Sequence, residues 1–125
     1  MKHTPHPKRW HLNVAVVSAV LLTACAARPP SLYQWGSYEE QVYALYNEPG
    51  KVPPEQQIAK LEEDYQKARA SSKAVPPGFH AHLGYLYFGT GKLDQARQSF
   101  ATEKSLFPES AIYMDRILSQ LNNQR

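Results

Sequence analysis

The chain has 125 residues and a formal net charge of +3, with ten prolines, five histidines and a single cysteine. This length suits one small domain, and one cysteine excludes an intramolecular disulfide framework. Three basic residues and no acidic ones lie in residues 1–24, so the remaining residues are neutral overall. The positive net charge therefore gives no support for nucleic-acid binding.

The first 24 residues are predicted to be a targeting peptide. A basic start precedes an apolar core over residues 12–22, which is short for a bilayer span. The core ends in Leu22-Thr23-Ala24-Cys25, which resembles the lipobox of bacterial lipoproteins. This resemblance implies diacylglyceryl transfer to the Cys25 sulfur, cleavage between Ala24 and Cys25, and acylation of the new amino terminus.

The lipobox resemblance also implies a location. The residue after the cysteine is Ala26 and not aspartate, which resembles an outer-membrane address. We therefore expect a palmitate-bearing lipoprotein on the periplasmic face of the outer membrane, where more than one acyl chain gives stable anchoring. The alternatives are that the segment is an uncleaved membrane anchor, or that Cys25 is an ordinary core cysteine whose neighbours resemble a lipobox by chance.

Residues 25–36 are predicted to form the lipidated cysteine and an extended tether, and residues 37–125 a helical domain. Ser37 with Glu40 three residues later fits a capping box, which predicts a helix over residues 38–47. Gly36-x-Tyr38 parallels Gly91-x-Leu93. This helix would therefore be the second helix of a degenerate repeat.

A proline- and glycine-rich break precedes the longest uninterrupted helical pattern, over residues 55–70. Its apolar stripe comprises Ile58, Leu61, Tyr65 and Ala68. Glu62, Glu63 and Asp64 are consecutive and would fan out around a helix. We therefore expect a solvated acidic face there, and no carboxylate pair for acid–base chemistry.

The pattern over residues 79–108 predicts two short helices that pack against each other as an antiparallel hairpin. Gly89-Thr90-Gly91 ends the first helix and Pro108 ends the second. The predicted packing positions are Leu83, Gly84, Tyr87, Ala96, Phe100 and Pro108. Together they resemble the tetratricopeptide signature at its own spacing, which implies a helical interaction surface. His80 and Glu103 depart from that signature, and a generic helical hairpin is the alternative.

A last helix is predicted after Pro108. Its apolar positions are Ile112, Met114, Ile117, Leu118 and Leu121. The fold class is therefore all-α, a short tetratricopeptide-like stack of about five helices.

No residues point to catalysis, a metal or a cofactor. His80 and His82 are two apart, so they point in different directions on a helix, unlike paired zinc ligands. His80 is expected to be a core or edge histidine. The sequence contains no phosphate loop, dinucleotide fingerprint or nucleophile elbow. We therefore expect no enzymatic activity and no small-molecule substrate.

The repeat geometry predicts a partner-binding groove. It places Tyr85 and Phe88 toward a concave surface, with Asp115 and Arg116 on the next helix. Aromatic side chains with a charged rim suit the binding of a peptide or helix. The alternative is a groove filled by the helix over residues 38–46 or the one over residues 55–70.

A second resemblance covers most of the chain after the targeting peptide. The runs LYQWGSYEEQVYALYNEPGK, PPGFHAHLGYLY and FPES followed by MDR are similar to a family of short bacterial lipoproteins, domain of unknown function 4810. Its members resemble partners of other envelope lipoproteins, including one related to the curli-secretion pore. This implies a non-catalytic assembly module in the cell envelope. The alternatives are a pilotin-like carrier of a pore subunit, or an enzyme or activator of cell-wall turnover.

Overall fold

Five α-helices and one 3₁₀ turn make up the part of the chain described here, residues 30–123 of a computed structural model. They are α1 (Tyr38–Asn47), α2 (Pro54–Ala70), α3 (Phe79–Gly89), α4 (Leu93–Leu106), the turn Pro108–Ser110, and α5 (Ala111–Asn122). The all-α fold class is confirmed. Residues 1–24, the cleavage site and the lipidation residue Cys25 lie outside the described part of the chain.

The helix boundaries follow local signals in the sequence. α2 begins one residue earlier than predicted, at Pro54, since the fixed φ of proline suits a first helical position. α3 ends before Gly91, whose φ of +75° turns the chain. The backbone N–H of Lys92 then donates to the carbonyl of Tyr87 at 2.9 Å and closes the helix end. Between residues 30 and 123, no helix is both long and apolar enough to span a bilayer.

α3 and α4 form the tightest helix pair. Leu83, Tyr87, Ala96 and Phe100 belong to the buried core. A Cβ atom at Gly84 would lie 2.8 Å from Cε1 of Phe100, so only glycine allows this approach. Pro108, which we predicted to pack with these residues, is exposed and instead begins the 3₁₀ turn.

A buried carboxylate ties α4 to the start of α3. Glu103 is 2% exposed. Its Oε1 accepts a hydrogen bond from the N–H of Gly78 at 2.6 Å, and its Oε2 accepts from those of His80 and Ala81 at 3.1 and 3.3 Å. These N–H groups have no partner within their own helix, and the helix dipole favours an anion there. The departure from the tetratricopeptide signature at Glu103 therefore has a structural role.

A second buried carboxylate holds the start of α1 in the same way. Asp64 of α2 is 4% exposed, and its Oδ2 accepts from the N–H of Ser37 at 2.7 Å and from its hydroxyl at 2.6 Å. The predicted capping box of Ser37 and Glu40 is therefore wrong, because the Ser37 hydroxyl is engaged with α2 and makes no cap bond. The expected solvated acidic face is also wrong at Asp64.

The two carboxylate contacts repeat one arrangement, in which a helix accepts hydrogen bonds from the start of the helix before it. Asp64 lies 27 residues after Ser37, and Glu103 lies 25 residues after Gly78. In each pair, the second helix supplies the carboxylate and the first helix supplies the N–H group. α1 is therefore the first helix of its pair, and not the second as the glycine spacing suggested.

The residues just before α1 pack on the helical domain. The N–H of Gln34 donates to the carbonyl of Ala74 at 2.8 Å. The ring of Tyr33 lies edge-on to that of Phe107 with centroids 6.4 Å apart, and the ring of Trp35 stacks on Tyr38 at 6.3 Å. The boundary between tether and domain therefore lies near residue 32, before the predicted residue 36.

Candidate functional site

A groove of about 430 Å³ opens between α1 and α5, with α3 along its floor. We call it the aromatic groove. It is lined by Tyr38, Val42, Tyr46, Gly78, Ala81, His82, Tyr85, Phe88, Phe100, Tyr113, Met114, Ile117, Gln120 and Leu121. The predicted alternative of a filled groove is not what we observe, because α1 forms one wall of it and α2 contributes no lining residue.

The aromatic groove carries no charge at neutral pH. None of its lining residues is Asp, Glu, Lys or Arg. His82 is 8% exposed, and this burial lowers the pKa of its imidazole to about 4, so the ring is neutral. Burial, followed by the nearby Glu103 carboxylate, raises the pKa of the Tyr38 hydroxyl, so that group remains protonated. An apolar occupant would therefore meet no unpaired charge in the groove.

The floor and the rim of the aromatic groove differ in chemistry. Phe100, Met114 and Leu121 are buried and give an apolar floor. The exposed aromatic side chains along the groove are Tyr46, Tyr85, Phe88 and Tyr113. Aromatic rings bury large areas on binding, and tyrosine adds a hydroxyl that hydrogen-bonds at the edge. The groove can therefore receive apolar side chains and hydrogen-bond the polar groups beside them.

The structure separates the four residues that we predicted for partner binding. Tyr85 and Phe88 both line the aromatic groove. Asp115 and Arg116 do not, and the Asp115 carboxylate instead forms an ion pair with Lys104 of α4. α5 turns its apolar residues toward the groove, which leaves the two charged side chains exposed elsewhere on the helix. The predicted charged rim is therefore corrected to a rim of tyrosines.

Sequence reasoning missed the contribution of α1 to this groove. Tyr38, Val42 and Tyr46 line it from that side. They recur every four residues, which places them on one face of a helix. This spacing identifies the face, but only the fold shows that the face is turned toward α3 and α5.

A second groove, of about 540 Å³, lies between α2 and α4 across α3. We call it the polar groove. It is lined by Ala59, Glu62, Glu63, Tyr65, Gln66, His80, Leu83, Tyr87, Gln95, Gln98, Ser99 and Thr102. The hydroxyl of Tyr87 donates a hydrogen bond to Oε1 of Glu62, which joins α3 to α2. Burial and this bond raise the pKa of Tyr87.

The two histidines of α3 belong to different grooves. His80 lines the polar groove and His82 the aromatic groove. Both are buried, as expected for His80, and burial lowers the pKa of each. Within residues 30–123, neither Nε2 atom has a hydrogen-bond partner, and no three His, Cys, Asp or Glu side chains are grouped to hold a metal ion.

The family model described as "Domain of unknown function (DUF4810)" matches residues 32–117. The chain belongs to this family. The resemblance seen in the sequence is thereby confirmed. No curated protein and no solved structure matches the chain.

The DUF4810 match includes nearly all of both grooves. Every residue that lines the polar groove falls within residues 32–117, and Gln120 and Leu121 are the two lining residues of the aromatic groove beyond it. The match begins where the compact unit Leu32–Arg125 begins. Both grooves are therefore features of the DUF4810 domain itself.

Proposed function

We propose that this DUF4810 protein is an outer-membrane lipoprotein, anchored at Cys25 and facing the periplasm, that binds another envelope protein in its aromatic groove. It acts as an assembly module and catalyses no reaction. The observation that carries the proposal is the charge-free groove with aromatic side chains along α1, α3 and α5. The lipid anchor rests on the sequence around Cys25.

The chemistry of the aromatic groove favours a protein partner. The centres of protein interfaces are depleted in charged residues and enriched in aromatic ones. Tyr85 and Phe88 are about one turn apart on α3 and are exposed along the groove, where a partner would cover them. The apolar face of a helix or extended peptide would fill such a groove, with its backbone or polar side chains meeting the tyrosine hydroxyls.

Affinity capture from detergent-solubilised membranes tests the binding role. We expect the tagged full chain to retain a discrete envelope protein, such as a curli-secretion-related lipoprotein. The double variant Tyr85→Ala/Phe88→Ala should lose it. Tyr43→Ala is the matched control, because Tyr43 is an exposed aromatic residue of α1 outside the aromatic groove. Equal capture by the double variant and the parent would contradict the proposal.

Metabolic labelling tests the anchor. We expect radioactive palmitate on the parent chain and none on Cys25→Ser, and we expect the parent chain in the outer-membrane fraction. An unlabelled parent chain would refute this part of the proposal alone. If a captured pore subunit also leaves the outer membrane in the Cys25→Ser strain, the protein is a carrier of that subunit, and a fixed module is excluded.

A further inference from the structure

The polar groove has a different chemistry from the aromatic groove and calls for a different ligand. Its two walls carry glutamine side chains, Gln66 from α2 and Gln95 and Gln98 from α4. None of these three amides hydrogen-bonds another residue of the described chain. Each amide offers two donor hydrogens and an acceptor oxygen toward the space between the walls.

A buried histidine adds to these groups at the floor. His80 is 5% exposed, and its Nε2 has no hydrogen-bond partner within residues 30–123. The rings of Tyr65 and His80 meet edge-on with centroids 5.0 Å apart, which holds the imidazole in place. Buried polar atoms without a partner are uncommon in folded proteins, and they mark places where another polar group belongs.

The charges of the polar groove argue against an anionic ligand. No Lys or Arg lines it, so nothing there would attract an anion. Both carboxylates already have partners: Glu62 accepts from the Tyr87 hydroxyl, and Glu63 pairs with Lys60 and Lys67. The groups left unpaired are neutral amides and an imidazole whose pKa is lowered by burial.

The small number of aliphatic side chains in the lining argues against a peptide. Leu83 and Ala59 are the aliphatic residues of the lining, and Leu83 is buried beneath it. A peptide draws most of its affinity from apolar or aromatic anchors in pockets. The two aromatic residues of this lining are already engaged, Tyr65 with the His80 ring and Tyr87 with Glu62. A sugar chain needs paired donors and acceptors at many points, because each hydroxyl both donates and accepts.

We propose that the polar groove binds a neutral oligosaccharide, with Gln66 and Gln98 hydrogen-bonding its hydroxyl or amide groups from opposite walls. This site is independent of the partner-binding aromatic groove, which lies on the other side of α3. Both grooves could therefore be occupied at once.

Calorimetric titration of the full chain in detergent tests the proposal, with two neutral probes, chitohexaose and maltohexaose. We expect saturable binding of at least one probe. The double variant Gln66→Ala/Gln98→Ala should weaken it at least tenfold. Gln56→Ala is the matched control, since this exposed glutamine of α2 lines neither groove, and the affinity of this variant should equal that of the parent.

Imidazole nitrogen NMR supplies a second readout that does not depend on the fold of a variant. Binding of the sugar should shift the ring resonances of His80 and leave those of His82 in place. The proposal is overturned if neither probe binds at millimolar concentration, or if the double variant binds as well as the parent. It is also overturned if a sulfated oligosaccharide or a Gly-Ser peptide binds more tightly than both neutral probes.

Discussion

The Glu103 carboxylate lies 2.6 Å from the backbone nitrogen of Gly78, at the first turn of the neighbouring helix. The Asp64 carboxylate likewise lies 2.7 Å from the backbone nitrogen of Ser37, at the start of α1. Each contact replaces a local helix cap with one supplied from the next helix. The start of α1 and the start of α3, which together determine two sides of the aromatic groove, are therefore held by tertiary contacts.

Replacement of Glu103 by alanine is expected to destabilise the domain strongly. Three N–H groups would lose their acceptor, and a buried carboxylate would be replaced by a cavity. We expect the free energy of unfolding to fall by about 3 kcal/mol or more. Urea unfolding followed by circular dichroism measures this, with the exposed Glu109→Ala as control. A loss equal to that of the control would mean that the three bonds contribute little.

Replacement of Asp64 by alanine should act mainly on α1. The Ser37 N–H and hydroxyl would both lose their acceptor, so we expect the amides of α1 to exchange faster with solvent while those of α3 and α4 keep their protection. Glu63→Ala is the neighbouring control, because Glu63 is exposed and pairs with lysines alone. Unchanged exchange in α1 would show that other contacts hold this helix.

Two glycines of α3 offer a matched test of helix packing. Gly84→Ala would place a methyl group against the Phe100 ring and should cost about 1–3 kcal/mol of unfolding free energy. Gly89→Ala meets no atom within 4 Å and should be neutral, or stabilising by about 0.5 kcal/mol, because alanine favours the helix. Equal effects at both sites would contradict the close approach of α3 and α4.

The stability of the domain should decrease on mild acidification. The pKa of His82 is about 4 in the folded chain, against about 6.5 when exposed, so the unfolded chain binds more protons between these values. The neutral His82 ring contributes fully to the free energy of unfolding above pH 6.5, and this contribution decreases as the pH falls toward 4. Between pH 7 and pH 5 we expect a loss of about 2 kcal/mol from His82.

Urea unfolding of the parent and of His82→Leu at both pH values checks this expectation. The range lies above the pH at which carboxyl groups ordinarily titrate, which keeps acid groups out of the comparison. The ring of Tyr38 lies edge-on to His82 at 5.9 Å, and no charged side chain lines that groove. His82→Leu should reduce the pH dependence, which persists in part through His80. If the variant loses as much stability as the parent between pH 7 and pH 5, titratable groups other than His82 cause the loss.

The helices could be predicted closely from the sequence because their signals are local. The spacing of apolar residues, together with Pro54, Gly91 and Pro108, locates each helix to within a few residues. The two structural carboxylates could not be found in this way. An acidic residue in a helical pattern normally indicates solvent exposure, and the N–H groups that Asp64 and Glu103 accept from lie 22 or more residues away.

Two of the four residues predicted for the aromatic groove line it. Tyr85 and Phe88 are on the groove side of α3, as the helical period indicates. The prediction for Asp115 and Arg116 rests on the general geometry of repeats, whereas the rotation of α5 about its axis is set by its own apolar residues. The polar groove had no signal in the sequence, since isolated glutamines on two helices are typical of any exposed surface.

α3 separates the two grooves by the thickness of one helix. His80 faces one groove and His82 the other, and they are two positions apart in the sequence. A sugar in the polar groove and a protein in the aromatic groove would therefore contact opposite faces of the same helix. One short helix would then bridge a glycan and a protein partner, without either occupying the other's groove.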